Sequence, residues 1–201
     1  LPGRPITLDG HGAVLDGSEL VTSAEWELVS PDLYRRQKVY PTTDDAIVGR
    51  WFLLWDGKMQ WMGRCSKGPS EPLKLPAELQ PGEWTFVRDE EAFYLKLAPG
   101  QDLDAAKIRY PKRSSAVVQS QSGSWLTIKN ITCTHVYNDG FNVHGAQRNL
   151  VYENIAAIEC GDDGFSAHED VDCHIDGFTS IGNATGLCDT GTSQTHYKNV
   201  F

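Results

Sequence analysis

Four segments of the chain repeat one another: Leu126-Thr127-Ile128-Lys129-Asn130-Ile131, Leu150-Val151-Tyr152-Glu153-Asn154-Ile155, Cys173-His174-Ile175-Asp176-Gly177-Phe178 and His196-Tyr197-Lys198-Asn199-Val200. They recur at offsets of 24, 23 and 22 residues. A unit this short cannot bury its own apolar face, so copies at such spacing stack into a solenoid with one continuous core. The repeats lack the Leu-x-x-Leu-x-Leu grammar of a leucine-rich array and carry aliphatic, aromatic and turn residues instead, which predicts a parallel β-helix. Ile6-Thr7-Leu8-Asp9-Gly10 and Ala13-Val14-Leu15-Asp16-Gly17 have the same short-strand character and predict a first coil over residues 1–26.

From residue 27 to 115 the pattern changes to longer strands joined as hairpins. Trp51-Phe52-Leu53-Leu54-Trp55, the turn Asp56-Gly57 and Lys58-Met59-Gln60-Trp61-Met62 form the clearest one. A Pro-rich connection from Pro69 to Pro81 leads to a second, Trp84–Val87 with Ala92–Leu97, turning at Asp89-Glu90-Glu91, and Ile108–Pro111 closes the insertion. Solenoid grammar resumes over 116–201. No helix is expected. The fold class is therefore all-β: a parallel β-helix interrupted by an inserted antiparallel, sandwich-like β-domain. Because the chain reaches Phe201 inside a repeat strand, continuation beyond it, or a partner covering the open coil, is expected.

A net charge of −9 and a pI near 5.1 argue against nucleic acid as a partner, since that binding rests on clustered Lys and Arg. No apolar run reaches the length of a membrane span. The chain begins Leu1-Pro2-Gly3, without an initiator Met or a recognisable signal peptide, as a processed chain would. Five cysteines, Cys65, Cys133, Cys160, Cys173 and Cys188, form no CxxC pair, so buried thiols are expected rather than a zinc site or a disulfide framework.

Superposing coils brings Asn138-Asp139-Gly140-Phe141-Asn142-Val143-His144 onto Asp162-Asp163-Gly164-Phe165-Ser166-Ala167-His168, with Thr185-Gly186-Leu187-Cys188-Asp189 continuing the series. If Phe141 and Val143 face the core, alternation turns Asn142 and His144 outward, and likewise Ser166 and His168. Two imidazoles would then stack beside a row of acids: Asp139, Asp162 and Asp163, with Glu169 and Asp170 following. Carboxylates crowded on successive coils disfavour joint ionisation, and a protonated acid beside an ionised one is what glycosidic cleavage needs. The plainer reading of the Asp-Gly pairs is tight turns. The strand-end asparagines Asn130, Asn154 and Asn199 are explained by an amide ladder along the stack.

The Asp-Gly-ended opening strands, the Trp-rich insertion with Asp56-Gly57-Lys58 and Pro81-Gly82-Glu83-Trp84, and the Ile-x-Asn-Ile repeats together resemble the right-handed parallel β-helix carbohydrate-active enzymes, the pectin lyase-like superfamily. Among these the chain looks most like bacterial glycoside hydrolases whose β-helix carries an inserted β-sandwich. The resemblance implies a secreted or periplasmic enzyme acting on a polysaccharide or oligosaccharide. It implies Asp139, Asp162 and Asp163 as catalytic acids, His144, His168, Glu169 and Asn142 as substrate-binding residues, and neither metal nor cofactor. Asn138-Asp139-Gly140 with Gly161-Asp162-Asp163 is similar to the polygalacturonase pattern. That family's Gly-His-Gly one coil on has no counterpart, for the chain reads Thr185-Gly186-Leu187 there.

Two alternatives use the same surface. In β-helix polysaccharide lyases, stacked acids bind Ca²⁺ and a Lys, Arg or His removes the C5 proton; Asp139, Asp162, Asp163 and Glu169 would be the ligands, and His144, His168 or Lys198 the base. A non-catalytic carbohydrate-binding module would use aromatic faces. Trp26, Trp51, Trp55, Trp61 and Trp84 lie in or beside the insertion, however, where hairpin packing accounts for them.

Overall fold

A computed structural model describes residues 4–41, 45–61, 73–120 and 123–201. The Pro-rich connection up to residue 72, Met62, Cys65 and the turn residues Gln121 and Ser122 lie outside the described residues. The chain divides into two compact units, Leu1–Gly17 with Arg113–Phe201, and Ser18–Lys112.

Strand β1 (Ile6–Asp16) opens the first unit, and the second follows as β2 (Ser18–Leu20), β3 (Glu27–Ser30), β4 (Leu33–Gln37), α1 (Asp45–Arg50), β5 (Phe52–Trp55), β6 (Lys58–Trp61), β7 (Trp84–Val87), β8 (Ala92–Lys96) and β9 (Arg109–Pro111). Its two antiparallel sheets run β2-β9-β5-β6 and β3-β4-β8-β7. Asp56 and Gly57 both adopt left-handed backbone, at φ 52° and 70°, which suits the two-residue hairpin between β5 and β6. Trp51 and Phe93 pack ring on ring with centroids 4.1 Å apart, and Trp84 meets Trp51 edge-on at 4.8 Å. Trp26, Trp51, Trp55 and Trp84 are buried in the core of this unit, and Trp61 is half-buried. Among the described residues the six-residue α1 and two single 3₁₀ turns, Pro76–Glu78 and Arg88–Glu90, depart from the all-strand expectation.

The first unit resumes as β10 (Val117–Gln119), β11 (Gly123–Thr134), β12 (Phe141–Val143), β13 (Ala146–Ile158), β14 (Asp163–Ala167), β15 (Asp170–Ile181), β16 (Thr185–Asp189) and β17 (Gln194–Val200). These strands build two parallel sheets, β1-β11-β13-β15-β17 and β10-β12-β14-β16, a β-solenoid of about three turns. Register follows the repeat: Leu126 pairs with Leu150, Leu150 with Cys173, and Cys173 with Thr195. Like residues therefore stack in columns, Ile128-Tyr152-Ile175-Tyr197 and Phe141-Phe165-Leu187 among them, and burial of these columns supplies the driving force.

The strand-end asparagines have two reasons to be there. Asn130, Asn154 and Asn199 sit at φ 57°, 49° and 54°, and Gly177 at 78°, so each coil bends through left-handed backbone at this point. Asn tolerates that conformation better than other non-glycine residues. The amides also form the expected ladder: Asn154 Nδ2 donates to Asn130 Oδ1 (2.8 Å), and Asn130 Nδ2 to Asp9 Oδ1 (2.8 Å). Gly177 interrupts the ladder, and Asn199 donates to Asp176 instead (2.7 Å).

The hydrogen bond from Asn130, reinforced by the His11 backbone N–H and the nearby charges of His11 and Lys129, lowers the Asp9 pKa to about 2. A carboxylate depressed in the folded state contributes stability above its unfolded value of about 3.9, and that contribution is lost as pH falls through about 2. Asn130→Gly keeps the left-handed backbone and removes the donor. Carboxyl-carbon NMR should then find the Asp9 midpoint moved up toward the ordinary range; a midpoint left near 2 would refute the assignment.

Cys133, Cys160 and Cys173 are buried thiols outside any disulfide. Burial pushes Cys160 and Cys173 up to about 12, and Cys133 in the same direction, which makes them inert in the folded state. Among the described residues no helix is long and apolar enough to cross a membrane.

Candidate functional site

The Asp-Gly segments lie where the chain turns into the four-stranded parallel sheet, and Asp139, Asp162 and Asp163 converge there. One carboxylate oxygen from each lies within 4.8 Å of the others, and the residues are 3%, 1% and 1% exposed. Asp139 organises the cluster. Its Oδ2 accepts from Asn142 Nδ2 (2.6 Å), Ser166 Oγ (2.7 Å) and Asn138 Nδ2 (3.3 Å), and its Oδ1 from the Asp163 backbone N–H (3.1 Å). The Asp162 N–H donates to the Asn138 carbonyl (3.2 Å), which fixes one coil on the next.

Gly140 and Gly164 owe their identity to crowding between coils rather than to a turn. Neither has positive φ, but a Cβ on Gly140 would come 2.9 Å from the Gly164 carbonyl oxygen. One on Gly164 would come 2.7 Å from that of Gly186. The expected Asp-Gly tight turns are thus replaced by strand entries stacked too closely for any side chain.

Asn142 and Ser166 were expected to face outward to solvent. They are 9% and 0% exposed, because each spends its polar group on Asp139. Two residues along the same faces, about 7 Å further on, His144 and His168 do stack, with ring centroids 4.4 Å apart and planes 11° from parallel. His168 Nδ1 meets Thr190 Oγ1 at 2.8 Å, and His144 Nδ1 lies 3.7 Å from Glu169 Oε1. The His144 backbone is pinned by the Gln119 carbonyl, and its own carbonyl by Gln147 Nε2. A buried acid cluster thus adjoins a more open rim of two imidazoles and Glu169.

Other candidates lie elsewhere. Asp170 holds Arg148 (2.6 Å) and Lys198 pairs with Asp176 (3.0 Å), both on the five-stranded sheet, so Lys198 is not placed to act as a base at the acid cluster. Asp189 is occupied by Thr195 Oγ1 (2.6 Å) and the Tyr197 hydroxyl (3.1 Å). The third coil also slips: Asp163, not Asp162, pairs with Thr185, because the offset there is 22 rather than 23. A second cluster, Asp172, His174 and His196, escapes an inspection confined to the Asp-Gly motifs. The 22-residue offset that lays His174 on His196 is the signal that would have found it.

No family model and no curated protein matches the sequence. Among solved structures the chain is similar to one described as XylC in complex with xylose, at a TM-score of 0.56 and 12% identity over 97% of this chain. At that identity the likeness is one of fold, and the chain spans about half, 49%, of that protein's length.

Proposed function

We propose that this chain is part of a carbohydrate-active enzyme acting outside the cytoplasm, and that it hydrolyses glycosidic bonds of a polysaccharide at the Asp139, Asp162 and Asp163 cluster. The observation that carries the reading is the convergence of three carboxylates from two successive coils within 4.8 Å. The fold shared with a protein bound to xylose supports it. Asp139, committed to four donors, is the positioning residue. Asp162 and Asp163 divide the chemistry. Glycosidic cleavage asks one carboxyl to protonate the leaving oxygen and a second to meet the anomeric carbon, and this pair would supply both. Both acids are buried, so His144, His168 and Glu169 would hold the sugar at the rim while both carboxyls swing out to meet it.

A second reading is favoured by one observation. Asn142 Oδ1 is buried and accepts no hydrogen bond, on the amide whose nitrogen contacts Asp139. An uncompensated amide oxygen beside three carboxylates is a donor set suited to Ca²⁺, which takes six to eight oxygens at about 2.3–2.6 Å. Asp139, Asp162, Asp163 and Asn142 would hold the ion, which would neutralise a uronate carboxylate; His144 or His168 would then take the C5 proton, as in a lyase.

The test is release of reducing ends, and of the absorbance of unsaturated uronates, from neutral and acidic polysaccharides, with and without chelator. Asp162→Asn/Asp163→Asn should abolish reducing-end release, with no absorbance in the parent. Absorbance lost on chelation would replace hydrolysis by the lyase reading. Product from the doubly substituted protein at the parent's rate, or none from either protein, would overturn both.

A further inference from the structure

We propose that Asp172, His174 and His196 form a surface site for a divalent transition metal, with zinc the best fit. Asp172 and His174 stand two residues apart on β15 and so share a face. Strand β17 runs parallel beside β15 and sets His196 directly against His174, with ring centroids 4.6 Å apart and planes 12° from parallel. One ligand atom from each of the three residues lies within 4.8 Å of the other two. The face is outward: both histidines are exposed and Asp172 is half-buried.

The platform is rigid where it needs to be. Cys173 and Ile175, alternating with Asp172 and His174, are 0% and 1% exposed and anchor β15 in the core, and the β15–β17 ladder holds His196 in register against it. Zinc binds imidazole nitrogen at about 2.0–2.1 Å and carboxylate oxygen at about 2.0–2.2 Å. Small side-chain rotations close the three donors around one ion without moving either strand. Two imidazoles and one carboxylate satisfy three of four tetrahedral positions, and the fourth faces solvent. Calcium and magnesium, which require mostly oxygen donors, are disfavoured by the same set. Arg148, held by Asp170, also acts electrostatically on Asp172 and limits affinity without blocking the histidines.

The other stacked pair shows what the site needs. His144 and His168 stack as closely, yet His168 Nδ1 is engaged by Thr190 and no carboxylate completes a three-ligand set within the same span among the described residues. The third ligand separates a metal site from a stacked pair.

Calorimetric titration of the chelator-treated chain with Zn²⁺ should give one ion per chain. His174→Ala and His196→Ala should each weaken binding at least tenfold, while His144→Ala/His168→Ala leaves it unchanged. Both targets are exposed side chains on a sheet face, so the variants keep the fold. Co²⁺ should produce a visible d–d band that disappears in the His174→Ala/His196→Ala protein. Stoichiometric binding that survives that double substitution, binding lost only with His144 and His168, or no stoichiometric binding at all would overturn the site.

Discussion

Phe165→Ala is expected to lower the stability of the solenoid unit by about 3–5 kcal/mol, the range for emptying a fully buried phenylalanine site. Phe165 is 0% exposed at the centre of a ring cluster. It stacks on Phe141 (6.1 Å between centroids) and meets Tyr152 (5.0 Å) and Phe178 (6.3 Å) edge-on. These neighbours are held in register by ladders on both sheets, so the walls cannot collapse into the void, and the cavity term adds to the lost transfer energy. Denaturant titration followed by hydrogen exchange at β13 and β15 isolates this unit from the other. Phe165→Leu, which refills most of the volume, should recover more than half the loss. A Phe165→Ala effect under about 1 kcal/mol would mean that the ring does not close the core as described.

Gly164→Ala is expected to cost about 1–3 kcal/mol or more, although it adds a single methyl. The new Cβ would sit 2.6 Å from Ser180 Oγ, 2.7 Å from the Gly186 carbonyl oxygen and 2.9 Å from Asn183 Nδ2. The carbonyl belongs to the next coil and can yield only by parting the stack. Asn183 cannot yield cheaply either. Its amide donates to the Ala157 carbonyl (2.9 Å) and Ser180 Oγ (2.9 Å) and accepts from the Cys160 N–H (2.7 Å), so displacement breaks a half-buried network. Gly186→Ala is the internal control. There the Cβ meets Ser180 Oγ at an ordinary 3.5 Å and φ is not positive, so its effect should stay within about 0.5 kcal/mol. Equal midpoints for the two variants in urea would remove close approach as the reason for glycine at 164.

The solenoid was legible because its register is its sequence repeat. The offsets that align Leu126, Leu150 and Cys173 on paper are the ones that pair them in the sheet. The stacking of His144 on His168 followed from the same arithmetic. Packing against groups distant in sequence was not legible. Alternation turns Ser166 away from the apolar core, and nothing local reveals that Asp139, 27 residues earlier, waits there to bury it. The glycines after Asp139 and Asp163 carry the local signature of a turn, while their cause lies one coil away. The slip at Thr185 arises because the offset in this sheet drops from 24 to 22 at its third pairing, which a repeat fitted on its earlier copies does not anticipate.

Strand β1 pairs along its length with β11, Ile6 against Leu126 and Asp16 against Thr134, while residues 18–112 intervene in the chain. During synthesis β1 has no partner until that whole stretch and β11 have emerged, whereas β11, β13, β15 and β17 each find a neighbour one repeat away. Closing so long a loop costs entropy that only the finished second coil repays. Strand β1 therefore waits unpaired while residues 18–112 are made, and that unit has time to fold on the ribosome before β1 and β11 can pair.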